Sequence, residues 1–384
     1  IFSGNVNAGL AVTSLPNPDL QWEFTDQYDI GLDISLFDRK LNLSTDIYYK
    51  RTEDLLLQVP IPMSTGFGSR LTNVGNVENK GLEVALNTLN VDGEFKWTSD
   101  FTFSINRNEV LNLGGVEQRT FQDQFTNGLY TGSLSVGESL GNWIGYETNG
   151  VFTYEDFDES GNNIYTGGFY QDGTPVPVYG TPSSVNPDSR PKLGDVKYVD
   201  QNADGVINDD DITIIARTQP KHYGSVYNNF SYKEFSLGVL FTYKYGFDVI
   251  NGNKHRMYGN GYANFNQMGE MRDHWTPYNT DTDIPRADYE DRNLTSRFVE
   301  DGSFIRLQSI NLSYDLPSDA AQSIGLSRFQ LYSNIENVFL WTKYTGFDPE
   351  VSVARGQKAI TSQNLDYGAY PRTLNVTFGV KIGF

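Results

Sequence analysis

The chain has 384 residues, a net charge of −19 and no cysteine. The lack of thiols excludes disulfide bonds, cysteine nucleophiles and cysteine-based metal sites. The acidic balance argues against a nucleic-acid partner, because phosphate binding depends on Lys and Arg. Only 38% of the residues are hydrophobic although 14% are aromatic, and no apolar run approaches the roughly 20 residues that a membrane-spanning helix needs.

Strict alternation of apolar and polar residues recurs in nine long segments. In residues 41–49, Leu43 and Ile47 lie on one face of a predicted strand, and Ser44 and Asp46 lie on the other. The segments are about as long as the roughly nine to eleven residues of a tilted membrane-crossing strand, whereas strands of soluble proteins average about five or six. The pattern predicts an all-β fold, a transmembrane antiparallel β-barrel. Its strands are expected at 28–37, 41–49, 82–89, 95–106, 224–232, 235–243, 303–316, 329–341 and 374–384.

The alternation slips once, in the segment 303–316. Ile305 and Leu307 are out of phase with Ile310 and Leu312. One extra residue in a strand has this effect, so we expect a β-bulge near Ser309.

The connections between the predicted strands alternate between short and long. The short ones are the polar turns Asp38-Arg39-Lys40, Asp92-Gly93 and Lys233-Glu234 and a longer turn at 317–326. The long ones are rich in Gly, Asn, Asp and Pro and cover 52–78, 107–222, 246–302 and 342–371. Outer-membrane barrels combine short periplasmic turns with long extracellular loops in this way.

This organisation divides the chain into six parts. We expect extracellular loops at 1–26, 107–222 and 246–302, four strands in 27–106, two in 223–245 and three in 303–384, with a periplasmic C-terminus. Bacterial single-chain barrels have an even number of strands, so nine strands predict a partial barrel. The chain opens at Ile1 without a signal sequence, which agrees with a fragment or processed piece of an exported protein.

Several motifs are similar to one family in combination. They are Leu15-Pro16-Asn17-Pro18-Asp19-Leu20-Gln21-Trp22-Glu23, Asn73-Val74-Gly75-Asn76-Val77-Glu78-Asn79-Lys80-Gly81-Leu82-Glu83, Gly145-Tyr146, Gly150-Val151-Phe152, Gly194-Asp195-Val196-Lys197-Tyr198-Val199-Asp200, Phe304-Ile305-Arg306-Leu307, Leu312-Ser313-Tyr314-Asp315-Leu316-Pro317 and the terminal Phe384. The chain resembles the SusC/RagA family of TonB-dependent outer-membrane transporters over nearly its whole length, as the C-terminal part of the barrel.

The resemblance implies that these are the last nine strands of a 22-stranded barrel in the bacterial outer membrane, a class whose lumen holds a plug. It implies active import of a glycan or peptide nutrient rather than catalysis. It also implies two partners, a SusD-like surface lipoprotein that covers the extracellular mouth and a TonB system that acts through a part outside this chain.

One loop has the spacing of a calcium-binding motif. Carboxylates and amides at positions 1, 3 and 5, a turn-making Gly at 6, a carbonyl at 7 and a carboxylate at 12 wrap one ion in such loops. The predicted Ca²⁺ ligands are Asp200, Asn202, Asp204, Val206, Asn208 and Asp211. The alternative is an Asp- and Asn-rich turn without metal, held by its own side-chain to backbone hydrogen bonds.

Candidate ligand-contacting residues fall into two groups. The polar faces of the strands predict a lumen lined by Asp100 and Glu336, together with Asp46, Lys50, Glu83, Asn87, Lys96, Asn334 and Lys381. The loop aromatics are candidates for stacking on sugar rings or peptide side chains, or alternatively for packing the loops or contacting the lid. They are Trp143, Tyr146, Tyr170, Trp275 and Tyr278.

Two other classes of protein remain as alternatives. His222, His255 and His274 lie in predicted loops without a nucleophile motif or zinc spacing, but a pair of carboxylates for glycoside hydrolysis is compatible with so acidic a chain. A secreted carbohydrate-active enzyme and a calcium-stabilised surface adhesin would both dissolve without detergent. A barrel would fractionate with outer membranes and resist heat in SDS.

Overall fold

A computed structural model describes residues 15–122, 131–157, 166–169, 175–177, 191–258, 266–289, 293–353 and 363–384. The strands and helices are, in chain order, β1 (Phe24–Leu36), β2 (Leu41–Glu53), β3 (Leu56–Pro60), β4 (Ser69–Asn73), β5 (Asn76–Val91), β6 (Phe95–Asn112), β7 (Gln118–Gln122), β8 (Thr131–Ser135), β9 (Asn142–Tyr146), β10 (Thr148–Val151), β11 (Thr166–Phe169), β12 (Pro175–Pro177), β13 (Val196–Tyr198), β14 (Ile212–Ala216), β15 (His222–Tyr232), β16 (Phe235–Tyr245), β17 (Asp248–Asn251), α1 (Gly252–Tyr258), β18 (Val299–Asp301), β19 (Phe304–Asp315), α2 (Ser318–Ser323), β20 (Arg328–Thr342), β21 (Leu365–Asp366) and β22 (Asn375–Gly383).

Nine of these strands form one antiparallel sheet, which we call the wall. Its strand order is β1-β2-β5-β6-β15-β16-β19-β20-β22, so each long strand pairs with the next long strand along the chain. This confirms the predicted number of strands and their antiparallel arrangement. In the part of the chain that the structure describes, β1 pairs within the wall only with β2, and β22 only with β20. The wall is therefore an open arc.

The register of the wall places apolar and polar side chains on opposite faces. Val84 of β5 pairs with Thr45 of β2, and the next residue back, Glu83, pairs with Asp46. Side chains on the apolar face are exposed, for example Ile30 at 76% and Phe378 at 79%. So large an exposed apolar surface fits contact with lipid. By the same register, all nine predicted lumen residues lie together on the polar face.

The predicted β-bulge lies at Gln308 in β19. Leu240 of β16 pairs with Ser309, but the next residue, Phe241, pairs with Leu307. Gln308 is thus the extra residue, and its side chain lies 3.4 Å from that of Asn337 in β20. The prediction of a bulge near Ser309 is confirmed, and it restores the apolar phase of β19 on both sides of the slip.

The two ends of the wall differ in how the strands are connected. At one end, β1–β2, β5–β6 and β15–β16 are joined by tight turns, in which Asp38 and Lys233 have positive φ angles of 54° and 52°. At the other end, the long connections fold into additional sheets, including β14-β9-β8-β7 and β18-β17-β21. We call this part the extramembrane body. No helix among the described residues is long and apolar enough to cross a membrane.

The extramembrane body has its own buried core. One cluster is formed by Trp143, Ala216, Ile250, Leu294 and Leu365, residues that come from three different long connections. The described parts of the long connections are therefore packed structure and not the unstructured loops that their composition indicates.

We predict that the two faces of β5 tolerate a charge very differently. Val84→Arg puts a guanidinium on the apolar face near the middle of the strand, which should cost about 2–4 kcal/mol if that face contacts lipid. Glu83→Arg, one residue away on the polar face and opposite Asp46, should cost far less. Urea unfolding of the complete protein in detergent measures both changes. Equal losses of stability for Val84→Arg and Glu83→Arg would show that both faces of β5 are in the same environment.

Candidate functional site at the extramembrane end

The predicted calcium loop forms a tight turn around two buried carboxylates. Asp200 and Asp211 are only 3% and 0% exposed. Asp200 accepts hydrogen bonds from the backbone N–H of Asp204 and Gly205, at 3.3 and 2.8 Å. Asp211 accepts from the N–H of Gln201 and Asn208, at 2.9 and 2.8 Å. Gly205 has a φ of +87°, a conformation that favours glycine.

The remaining predicted ligands also bond within the loop. Asn202 accepts from the N–H of Asp204 at 2.9 Å, and Asp204 accepts from the N–H of Val206 at 2.8 Å. Asn208 caps a short 3-10 helix by accepting from the N–H of Asp210 at 2.6 Å. Across the residues that the structure describes, no group of three or more His, Cys, Asp or Glu side chains is arranged to hold a metal ion. The loop therefore has the self-bonded form of the alternative interpretation, and calcium binding stays a prediction.

Burial and neighbouring charges act on the innermost carboxyl of this loop. Burial is the main cause that raises the pKa of Asp211, and the charges of Asp200 and Asp204 add to it. The backbone N–H groups of Asn208 and Gln201 act in the opposite direction. The net effect is a carboxyl that takes up a proton more readily than an exposed Asp.

Three aromatic candidates are buried inside the extramembrane body. Trp143 is fully buried, and its Nε1 donates to the carbonyl of Gln363 at 2.7 Å. Tyr146 and Trp275 are 5% and 6% exposed. These positions match the alternative in which the rings pack the loops together. Tyr278 is the exception, because its side chain is fully exposed; Tyr170 lies outside the described residues.

Contacts of Gly194 and Asp195 explain why the motif at residues 194–200 requires a glycine followed by an aspartate. Gly194 has a φ of +80°, and a Cβ there would come within 2.7 Å of the Trp275 ring. Asp195 accepts a hydrogen bond from Arg286 Nε at 2.6 Å. The motif thus joins β13 to the segment around Arg286 by one close backbone approach and one charge-assisted bond.

The two polar-face candidates do not form a single site. Asp100 accepts from Asn87 at 2.6 Å, and Glu336 accepts from Asn334 at 2.9 Å. Both carboxylates lie in one row of cross-strand neighbours, which runs from Asp100 through Tyr227, Leu240 and Ser309 to Glu336. Four steps of about 4.8 Å separate them by roughly 19 Å along the sheet.

A buried ion-pair network lies where the wall meets the extramembrane body. Arg306 and Asp348 have side chains only 3% and 4% exposed, and they pair at 2.7 Å. Glu350 joins Arg306, Arg372 and Lys244 at 3.4, 3.2 and 2.9 Å. The sequence singled out Arg306 only as part of a motif, and nothing in the spacing indicated its partners 42 and 44 residues away.

This network fixes the connection after β20 to the rim of the wall. Arg306 is on the polar face of β19, and Lys244 is at the corresponding end of β16. Asp348 and Glu350 both belong to the segment that follows β20. Buried charges are costly unless they are paired, so the network holds this connection against the polar face at the rim of the wall.

Comparison with known proteins identifies the architecture. Residues 1–184 match the family model described as TonB dependent receptor-like, beta-barrel. A TonB-dependent receptor of Formosa agariphila is 33% identical over 381 residues, which make up 98% of this chain and 36% of that protein. The TonB-dependent receptor SusC of Bacteroides thetaiotaomicron is 23% identical, over 96% of this chain and 32% of SusC.

A solved structure has the same fold. The chain matches the structure of the RagAB peptide transporter with a TM-score of 0.71 and 23% identity, over 98% of this chain and 37% of that one. The open wall with one apolar and one polar face is therefore part of an outer-membrane receptor barrel. The chain is thus similar over nearly its whole length to TonB-dependent receptors, SusC among them, and it has the fold of their β-barrel. It spans about a third of the length of the curated relatives that it matches.

We predict that the Arg306–Asp348 pair is essential for the stability of this region. Asp348→Ala leaves a buried guanidinium without its main partner and should cost about 3–5 kcal/mol. The control Glu53→Ala breaks the exposed pair with Arg51 and should cost no more than about 1 kcal/mol. Urea unfolding of the complete protein measures both. The double variant Arg306→Met/Asp348→Leu should recover part of the loss, and similar effects for Asp348→Ala and Glu53→Ala would contradict the role given to the network.

Proposed function

We propose that the chain forms part of the wall of a transporter that imports a glycan or peptide nutrient across the bacterial outer membrane, driven by TonB. The observation that carries this proposal is the polar face of the wall, which runs across all nine strands opposite a bare apolar face. A hydrophilic nutrient needs such a surface to pass a bilayer. Similarity to TonB-dependent receptors supports TonB as the energy source.

The proposed orientation places the extramembrane body outside the cell and the tight turns in the periplasm. Bacterial outer-membrane barrels carry long connections on the extracellular side, and all the long connections of this chain leave the same end of the wall. Incoming nutrient would then meet the extramembrane body first. Because Asp100 and Glu336 lie far apart on the polar face, we expect the wall to offer dispersed weak contacts along the path.

We further propose that a SusD-like surface lipoprotein covers the extramembrane body. The similarity to SusC and to the RagAB transporter supports such a partner. On this side the fully exposed Tyr278 is held in a turn closed by two backbone hydrogen bonds between Thr276 and Asn279, of 3.1 and 3.0 Å. An exposed aromatic ring on an ordered turn is a favourable anchor for a protein partner.

Import is tested in the source organism by deleting the gene for the complete protein. We expect growth on at least one glycan or peptide to be lost, and to return with the intact gene only when TonB is present. Tagged complete protein should co-purify a lipoprotein from detergent-solubilised outer membranes. Unchanged growth on every glycan and peptide, or restored growth without TonB, would refute the proposal.

Calcium binding by residues 200–211 is a separate proposal. The ligand spacing and the two carboxylates buried at the centre of the loop support it, because buried charges are stabilised by a cation. We expect the complete protein to bind one Ca²⁺ here at millimolar calcium and to unfold at a higher temperature than in chelator. Asp204→Ala should remove both effects, whereas Asp210→Ala, outside the ligand set, should keep them. Absence of bound calcium at millimolar concentration would end this proposal.

A further inference from the structure

A polar cleft of about 700 Å³ opens in the extramembrane body. It lies between β10, α1, residues 280–284 and residues 296–298. Its volume is in the range of about 300–1,000 Å³ that is typical of ligand sites. None of the residues predicted from the sequence to contact ligand lines it.

The cleft has a rigid apolar base. Tyr258 and Phe298 pack in a buried cluster with Met271 and are 5% and 1% exposed. Their rings meet at 6.3 Å with an edge-to-face geometry. The apolar lining residues are thus occupied with each other, and they offer no open pocket for an apolar side chain of a peptide.

The walls of the cleft are rich in hydroxyl groups. They are Thr148, Thr153, Thr280, Thr282 and Ser296. Several are fixed in place: the hydroxyls of Thr148 and Ser296 lie 3.1 Å apart, and Thr282 donates to the carbonyl of Asp273 at 2.7 Å. Pre-positioned polar groups of this kind lower the entropic cost of binding a polar ligand.

Charged groups of both signs also line the cleft. Lys254 Nζ lies 3.6 Å from Glu270 and 3.8 Å from Glu300, which is beyond hydrogen-bond distance, so it keeps donors for a ligand. Asp281 and Asp283 also line the cleft, are exposed and present carboxylate acceptors. Lys197 and Arg297 also line the cleft, and Lys197 pairs with Asp156 at 3.2 Å. The carboxylates of Asp281 and Asp283 disfavour an acidic ligand, and the cationic groups of Lys254 and Arg297 disfavour a strongly basic one.

We infer that this cleft binds a neutral, hydroxyl-rich oligosaccharide. A sugar hydroxyl both donates and accepts, so it can donate to Asp281 or Asp283 while it accepts from Lys254 or a threonine hydroxyl. A peptide would use the donors and acceptors but lacks an apolar subsite here. This inference rests on the proposed import function and selects a neutral glycan as its substrate class.

The test uses the complete transporter with its partner lipoprotein, purified in detergent. Calorimetry measures binding of a panel of neutral oligosaccharides, uronate-containing oligosaccharides of the same length, and short peptides. We expect at least one neutral oligosaccharide to bind. Lys254→Met and Asp283→Ala should each weaken it about tenfold or more, since each removes a charge-assisted hydrogen bond.

Two controls separate loss of the cleft from loss of fold. Lys343→Met and Asp319→Ala remove exposed charges away from the cleft and should leave the affinity unchanged. Because Asp283 is exposed, its replacement should leave the fold intact. Melting temperatures of all four variants verify folding. Preferential binding of a peptide or an acidic oligosaccharide, no binding of any neutral oligosaccharide, or unchanged affinity in both cleft variants would overturn the inference. TonB-dependent growth on a peptide in the same strain would then leave the import function standing.

Discussion

A lipid bilayer offers no hydrogen-bond partners to a polypeptide backbone, so every N–H and C=O that crosses it must bond within the protein. The wall meets this requirement by pairing each long strand with the next, from β1–β2 to β20–β22. Pairing fixes the register, and the register fixes which side chains face lipid and which face water. One antiparallel ladder therefore produces both the lipid-facing surface and the polar face of the wall.

The same ladder determines where the rest of the chain can fold. Because neighbouring strands run in opposite directions, every long connection begins and ends at one end of the wall. There the connections bury a core around Trp143 and Leu365 and bond to the rim through Arg306 and Asp348. The ligand-sized cleft forms where β10, α1 and two later segments meet within this body. In the proposed function, recognition takes place in the extramembrane body and the wall supplies the passage.

Sequence alternation predicts the wall well because each lipid-facing position must be apolar whatever its neighbours in the fold are. The nine strands and the bulge at Gln308 follow from that local rule. Alternation does not predict where the strands end. β5 begins at Asn76 and β6 continues to Asn112, beyond their predicted bounds, because the outer residues of these strands pair without alternating between apolar and polar. The extramembrane body could not be predicted, because its contacts join distant segments, as between Arg306 and Asp348 or Thr148 and Ser296. Trp143 was recognisable as an aromatic loop residue, but only tertiary packing decides that it is buried.

The central claim is that successive residues of a wall strand meet lipid and water in turn. This chain contains no cysteine. With any cysteine elsewhere in the complete protein replaced by serine, single cysteines can be placed along residues 42–47 of β2 and spin-labelled in lipid nanodiscs. Oxygen, which concentrates in lipid, should collide often with labels at Leu43, Thr45 and Ile47 and rarely with those at Asn42, Ser44 and Asp46. Oxygen accessibility without this two-residue period would contradict the assignment of the wall as part of a transmembrane barrel.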